Sequence, residues 1–220
     1  KMGAFIFGAR NGVHVINLEE TQKALAAACD ALRDLAKQGK VILFVGTKDQ
    51  AQPIIREAAD RVGMPYVTSR WLGGTLTNFS IISKMIQKYR TLLRQRDTGE
   101  LQQKYTKYEQ GEIGKEIVRL EDAIGGISSL DRIPDALIVV DIHAEETAVR
   151  EARRKGVTTF GICDSNVDPT LVTYAIPGND DATSSIRLMI QFLADAVAEG
   201  ADARAREFAS METKQAAPAS

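Results

Sequence analysis

The residues best able to do chemistry here are a lysine and two aspartates that follow short apolar segments. Lys48 comes after the apolar run 41–45, Asp141 after the run 136–140, and Asp164 after the run 158–162. In a parallel sheet the carboxyl ends of the strands meet at one edge, where ligands bind. An ammonium and two carboxylates at that edge suit a phosphate group and a magnesium ion. One hypothesis is therefore a phosphate- or nucleotide-handling enzyme.

The sequence around these residues lacks the motifs of such enzymes. Lys48 has no upstream glycine to complete a phosphate-binding loop, and no Gly-x-Gly-x-x-Gly follows the first predicted strand. Asp141, His143 and Ser165 come without the Gly-x-Ser-x-Gly of a nucleophile elbow. Aspartates in such loops also serve as helix caps and turn formers. We therefore expect a protein without catalytic residues, bound metal or cofactor.

The segment 70–78 indicates a different chemistry, that of a nucleic-acid contact. Its residues are Arg70-Trp71-Leu72-Gly73-Gly74-Thr75-Leu76-Thr77-Asn78. Two glycines permit close backbone approach, and arginine, hydroxyl and amide side chains bind sugar and phosphate. The same residues fit equally a packing corner anchored by Trp71. The turn Arg10-Asn11-Gly12 has the same two interpretations.

Two stretches of helical periodicity follow this loop. Apolar residues step by three and four at Phe79, Ile82, Ile86, Tyr89 and Leu93, and again at Ile113, Ile117, Leu120 and Ile124. This spacing predicts an antiparallel coiled-coil hairpin over 79–126, with its turn at 97–99. Glycines at 111 and 114 weaken the second helix. We therefore expect that helix to become regular only after Lys115.

The first arm of the hairpin is cationic in a protein that is nearly neutral. The chain has 28 basic and 29 acidic residues, a net charge of −1, yet 79–96 contains no acid. Its cations are Lys84, Lys88, Arg90, Arg94 and Arg96. Such a helix suits contact with an RNA backbone, where each cation neutralises a phosphate and releases counterions. The alternative is a solvated arm without a partner.

The remaining elements alternate between strands and helices, which predicts an α/β fold with a doubly wound, mostly parallel sheet. Predicted strands are 13–16, 41–45, 65–67, 136–140, 158–162 and 174–176, and predicted helices follow Asn17 and cover 50–62, 145–155 and 181–199. We expect the sheet domain to comprise 1–78 and 127–200, with a flexible tail at 201–220. Cys29 and Cys163 form no metal or disulfide motif.

Several of these segments resemble one known family. Residues 5–18, Phe5-Ile6-Phe7-Gly8-Ala9-Arg10-Asn11-Gly12-Val13-His14-Val15-Ile16-Asn17-Leu18, are similar to the opening of the family of the second protein of the small ribosomal subunit, bacterial type. The same holds, in family order, for 42–48, 70–78, 120–121 with 125–127, 134–137 and 176–182. The hairpin tip, 97–114, departs from the family pattern. The family pattern also includes a segment before the position of Lys1, to which no contacts are assigned.

The resemblance implies a flavodoxin-like sheet with the hairpin inserted after the third predicted strand. It further implies a non-enzymatic protein of the cytoplasmic ribosome, or of the ribosome of an organelle of bacterial descent. Its expected place is between the head and body of the small subunit, against 16S ribosomal RNA and neighbouring ribosomal proteins. There it would support docking of the large mRNA-binding ribosomal protein, with no membrane contact and no homo-oligomer.

The resemblance and the charge pattern together define the expected RNA-binding residues. They combine the loops that resemble the family pattern with the basic face of the first arm. The set is Lys1, Arg10, Asn11, Lys48, Arg70, Thr75, Thr77, Asn78, Lys84, Lys88, Arg90 and Arg94.

Overall fold

The computed structural model describes residues 2–10 and 13–216 of the 220-residue chain. Short 3₁₀ turns aside, the elements in this part of the chain are β1 (Ile6–Arg10), β2 (Val13–Ile16), α1 (Leu18–Lys37), β3 (Ile42–Val45), α2 (Gln52–Val62), β4 (Tyr66–Val67), α3 (Phe79–Asp97), α4 (Glu100–Lys104), α5 (Lys107–Ile124), β5 (Ala136–Val140), α6 (Glu146–Lys155), β6 (Thr158–Cys163), β7 (Tyr174–Pro177) and α7 (Thr183–Ala216).

The central sheet has five parallel strands in the order β4-β3-β5-β6-β7. This is the flavodoxin-like doubly wound order, as expected. Every residue of β3 and β5 is buried. Their uninterrupted apolar sequences follow from this position, because helices cover both faces of the sheet.

The segment 13–16 is a strand, but our expectation that it belongs to the parallel sheet is wrong. It is β2, which pairs antiparallel with β1 in a separate two-stranded ribbon. Only two residues separate β1 from β2, the length typical of an antiparallel hairpin. His14 and Val15 are also exposed, which does not suit a strand covered on both faces. The hairpin 79–124 thus lies between the second and third strands of the parallel sheet.

One face of the sheet is covered by α1, α2 and α7. Phe44 and Phe160 are fully buried in this layer. Helices α1 and α7 are in close contact at Gly200. A Cβ at this position would overlap the carbonyl oxygen of Arg33 and lie 2.8 Å from the Cβ of Ala36. Glycine at this position therefore permits the contact of the two helices.

Replacing Gly200 by alanine is expected to lower the free energy of unfolding by about 1–3 kcal/mol, because the two helices must move apart. The control is Gly111→Ala in α5, where a Cβ would meet nothing within 4 Å. That change is expected to stabilise the protein by about 0.5–1 kcal/mol through helix propensity alone. Urea unfolding measures both. A neutral or stabilising Gly200→Ala would contradict the close packing of α1 on α7.

The chain beyond residue 200 differs from the flexible tail that we expected. Helix α7 continues to Ala216. Its extension is held by an ion pair of 2.6 Å between Lys37 and Glu207, and the guanidinium of Arg204 lies against Gly39. These contacts with the end of α1 explain why the helix does not stop at the edge of the sheet domain.

The opposite face of the sheet is covered by α6, the loop 70–78 and the base of the helical hairpin. Ile82, Ile86, Ile117 and Leu120 of the hairpin are buried in the same cluster as Leu43 and Val139 of the sheet. At its tip the hairpin contains the short helix α4, which we did not predict.

The second arm also begins earlier than expected. Thr106 and Glu109 form a capping box, so α5 is regular from Lys107 rather than from Lys115. Two reciprocal hydrogen bonds satisfy the first backbone donors of the helix, which offsets the cost of its two glycines.

Candidate nucleic-acid interface

The carboxyl ends of the strands bring Lys48 and Asp141 together, as the sequence predicts. The ammonium of Lys48 lies 2.8 Å from Asp141, 2.7 Å from Asp180 and 2.6 Å from Asp181. The carboxylates of Asp164, Asp180 and Asp181 also lie within 4.8 Å of one another. An ammonium has three protons to donate, and here three carboxylates accept them.

The electrostatics of this cluster oppose the binding of an anion. Burial alone would lower the pKa of Lys48, but the hydrogen bonds to Asp141, Asp180 and Asp181 outweigh it and hold that pKa well above its ordinary value. Burial raises the pKa of Asp180, an effect that the charges of Asp141 and Asp164 add to and Lys48 only partly offsets. The carboxylates would repel a phosphate group at this site, and the ammonium of Lys48 already pairs with three carboxylates.

The backbone conformation of Asp141 and its hydrogen bonds to nearby N–H groups also give it a structural role. It has a left-handed φ of 61°, which aspartate tolerates better than most residues, and its side chain accepts hydrogen bonds from the backbone N–H groups of His143 and Ala144. Burial would raise the pKa of Asp141, but Lys48 and these donors hold it below its ordinary value. The aspartate thus caps the turn before α6, as the structural alternative predicts.

A neighbouring glutamate closes the same turn. Glu145 is 3% exposed and accepts hydrogen bonds from the backbone N–H and the hydroxyl of Thr47. Burial raises the pKa of Glu145 more than these bonds lower it. Lys48 and the residues around it therefore form an internal ionic cluster, and we withdraw Lys48 from the expected RNA surface.

The loop 70–78 is organised by a single carboxylate of α6 that the sequence analysis missed. Glu151 accepts hydrogen bonds from the backbone N–H groups of Gly74, Leu76 and Thr77, at 2.7, 2.9 and 3.0 Å. It also accepts from the Thr77 hydroxyl and the indole N–H of Trp71. Five donors thus converge on one buried carboxylate. The only sequence signal is a glutamate within the buried helical pattern of Ala148, Val149 and Ala152.

The environment keeps Glu151 ionised. Burial would raise its pKa, but the hydrogen bonds from Thr77, Gly74, Leu76 and Trp71 outweigh this effect and lower the pKa below its ordinary value. Hydrogen bonds to an ionised acceptor are about twice as strong as neutral ones. Glu151 therefore acts as the anchor that shapes the loop.

The loop is partly a packing corner and partly an exposed surface, so each interpretation of its sequence fits some of its residues. Trp71 is 7% exposed and packs in the core, and the Thr75 hydroxyl donates to the Leu72 carbonyl at 2.6 Å. Thr75 and Thr77 therefore use their hydroxyls inside the protein, and we withdraw them as RNA contacts. Arg70 and Asn78 are exposed at the two ends of the loop, where they remain accessible to a partner.

The cations of the first arm divide into paired and unpaired groups. Lys88 pairs with Glu116 of α5 at 2.5 Å, and Arg90 pairs with Asp131 at 2.8 Å. Lys84 and Arg94 are exposed and make no ion pair within the described part of the chain. Most of the unbalanced positive charge on this arm is therefore carried by Lys84 and Arg94.

Three of the expected contacts come from the first eleven residues of the sequence. Lys1 and Asn11 lie outside the described residues, as does the side chain of Arg10, whose backbone ends β1. Of the expected set, Arg70, Asn78, Lys84 and Arg94 are exposed and make no ion pair within the described residues. Lys88 and Arg90 are exposed as well, but each is paired with a carboxylate. None of the described helices is long and apolar enough to cross a membrane.

Comparison with known proteins shows similarity along nearly the whole chain. The sequence pattern of the family described as ribosomal protein S2 matches residues 1–200. The small ribosomal subunit protein uS2 of Fusobacterium nucleatum is 46% identical over 200 residues, 91% of this chain and 81% of that protein. The protein of the same name from Coprothermobacter proteolyticus is 45% identical over 216 residues, covering 98% and 80% of the two chains. That of Nitratiruptor is 43% identical over 219 residues, covering 100% and 82%.

Proposed function

The chain belongs to the ribosomal protein S2 family, and on that premise we propose that its first hairpin arm and the loop 70–78 bind 16S ribosomal RNA. At the coarser level the protein is a structural constituent of the small ribosomal subunit in the cytoplasm, and it is not an enzyme. The saturated state of Lys48 agrees with this, because its ammonium has no donor left for a nucleotide phosphate.

The observation that carries the proposal is the unbalanced charge of α3. The arm contains no acid from 79 to 96, and neither Lys84 nor Arg94 forms an ion pair with a carboxylate in the described part of the chain. Arg70 and Asn78 extend the same polar surface to the base of the arm. Exposed cations without counterions bind phosphates favourably, because they lose no ion pair on binding and release ions from the RNA.

The finer placement follows from the family resemblance. We propose that the protein lies between the head and body of the small subunit, where a rigid sheet domain and a helical arm can each contact RNA. We further propose that it supports docking of the large mRNA-binding ribosomal protein. The family resemblance alone supports that second role.

The double substitution Lys84→Glu and Arg94→Glu tests the RNA contact of the arm. Removing two phosphate contacts is expected to reduce the slope of log affinity against log salt by about 1.4–1.8, at roughly 0.7–0.9 per contact. The measurement is filter binding of the purified chain to 16S ribosomal RNA across a potassium chloride series at constant magnesium.

The matched control reverses two cations that are already neutralised within the hairpin. Lys104 pairs with Glu100 and Lys115 with Glu112, so Lys104→Glu with Lys115→Glu makes the same change in net charge. We expect this variant to retain nearly the wild-type slope. Equal slopes for the arm variant and wild type would remove α3 from the RNA surface.

A further inference from the structure

The last turn of α6 carries a second group of cations without counterions. Arg153, Arg154 and Lys155 are all exposed, and none makes an ion pair in the described part of the chain. Arg150, one turn earlier, is by contrast paired with Glu146 at 2.7 Å. The outer face of the helix therefore ends in three consecutive unbalanced positive charges.

The position of these cations follows from the hydrogen bonds of Glu151. Residues three and four positions apart are neighbours on a helix surface, so Arg154 and Lys155 flank Glu151. Glu151 in turn holds the loop 70–78 through five donors, including the indole N–H of Trp71 next to Arg70. The end of α6 and the loop thus form one continuous surface. The carboxylate of Glu151 is buried and hydrogen-bonded to the loop, and it forms no ion pair with these cations.

On the opposite layer of the protein, several exposed cations are neutralised by ion pairs. On α1, α2 and α7, Arg33 pairs with Glu199, Arg61 with Asp195 and Arg187 with Glu57. Arg56, Arg204 and Arg206 of α2 and α7 are exposed without an ion pair, but such cations are more numerous among the described residues of α6, the loop and the hairpin. Cations in the last turn also interact favourably with the helix dipole of α6, but this role gives no reason for the one-sided distribution.

We propose that Arg153, Arg154 and Lys155, together with Arg70, form a second phosphate-binding surface for 16S ribosomal RNA. The proposal rests on the proposed function and adds to it a contact separate from the arm. RNA is the favoured partner because the surface is continuous with the loop at the base of α3. Arginine guanidinium groups also match phosphate geometry with two parallel hydrogen bonds.

The test replaces all three residues of the α6 turn by glutamine. Glutamine is a good helix former, so the fold is expected to persist, and circular dichroism melting checks this. Neutralising three phosphate contacts is expected to reduce the salt slope for 16S ribosomal RNA by about 2–3. Affinity at 0.1 M salt is expected to fall at least tenfold.

The matched control places the same charge change on the opposite layer. Lys23→Gln, Arg187→Gln and Arg206→Gln alter exposed cations of α1 and α7 and are expected to leave the slope near its wild-type value.

An unchanged slope for the α6 variant, beside a reduced slope for the arm variant, would overturn this inference and leave the proposed function standing. A reduced slope for the α6 variant alone would support the inference and contradict the arm. Loss of binding to an acidic ribosomal protein, with RNA binding intact, would overturn the inference in favour of a protein partner.

Discussion

Replacing Glu151 by alanine is expected to lower the free energy of unfolding by about 3 kcal/mol and to weaken RNA binding through the loop 70–78. Five donors lose their shared acceptor. Each buried donor left without a partner costs about 1–3 kcal/mol, and partial access of water to the loop reduces the sum. Without the anchor, Arg70 and Asn78 are no longer held in fixed positions.

Urea unfolding measures the stability change, and filter binding to 16S ribosomal RNA measures the second effect. The control is Glu146→Ala on the same helix, which removes an exposed pair with Arg150. Exposed pairs contribute about 0–1 kcal/mol, so this variant is expected to remain close to wild type. A Glu151→Ala variant as stable as the control would show that the carboxylate does not anchor the loop.

The pH dependence of stability gives an independent readout of the same anchor. The folded pKa of Glu151 is below its ordinary value of 4.5. Its contribution is therefore fully present above that value and is lost as the pH falls through the folded pKa. Because glutamine does not titrate, the stability difference between wild type and Glu151→Gln is expected to be constant near neutral pH and to shrink below about pH 4.5. A difference that persists unchanged in acid would contradict an ionised acceptor.

Replacing Lys48 by methionine is expected to lower the free energy of unfolding by about 3–5 kcal/mol, the range for removing one partner of a buried ion pair. Asp141 is 6% and Asp180 is 3% exposed, and both lose their cation. Methionine keeps much of the volume of the side chain, so the loss is chiefly electrostatic. Urea unfolding at neutral pH is the measurement.

A second substitution separates charge from packing at this cluster. Adding Asp180→Asn to Lys48→Met removes one of the uncompensated charges, and is expected to recover part of the lost stability as a favourable coupling. Lys40→Met serves as the control, because its partner Asp135 keeps an ion pair with Arg132. If Lys48→Met were as mild as Lys40→Met, the cluster would not be an essential internal ion pair.

Local patterns in the sequence were sufficient for much of the secondary structure. Strand β5 begins and ends where its apolar run does, because a strand covered on both faces tolerates only apolar residues. Gly99 turns the hairpin with a φ of 72°, a conformation that glycine adopts without strain. Thr106 and Glu109, three residues apart, form the capping box that begins α5. Each of these features depends on residues close together in the chain.

The functional surface depended instead on contacts between distant residues. Periodicity indicates which face of a helix is buried, but not which side chain will meet which. The sequence pattern assigns Lys48 to the RNA surface, whereas in the fold its ammonium donates to Asp180, 132 residues away. In the sequence, Glu151 does not differ from other helical glutamates. In the structure it accepts hydrogen bonds from N–H groups of a loop 74–77 residues earlier. The sequence by itself determined most of the strands and helices and the total charge. Only the tertiary structure decided which charges neutralise one another inside the protein and which are left without an ion pair at its surface, because that depends on long-range packing.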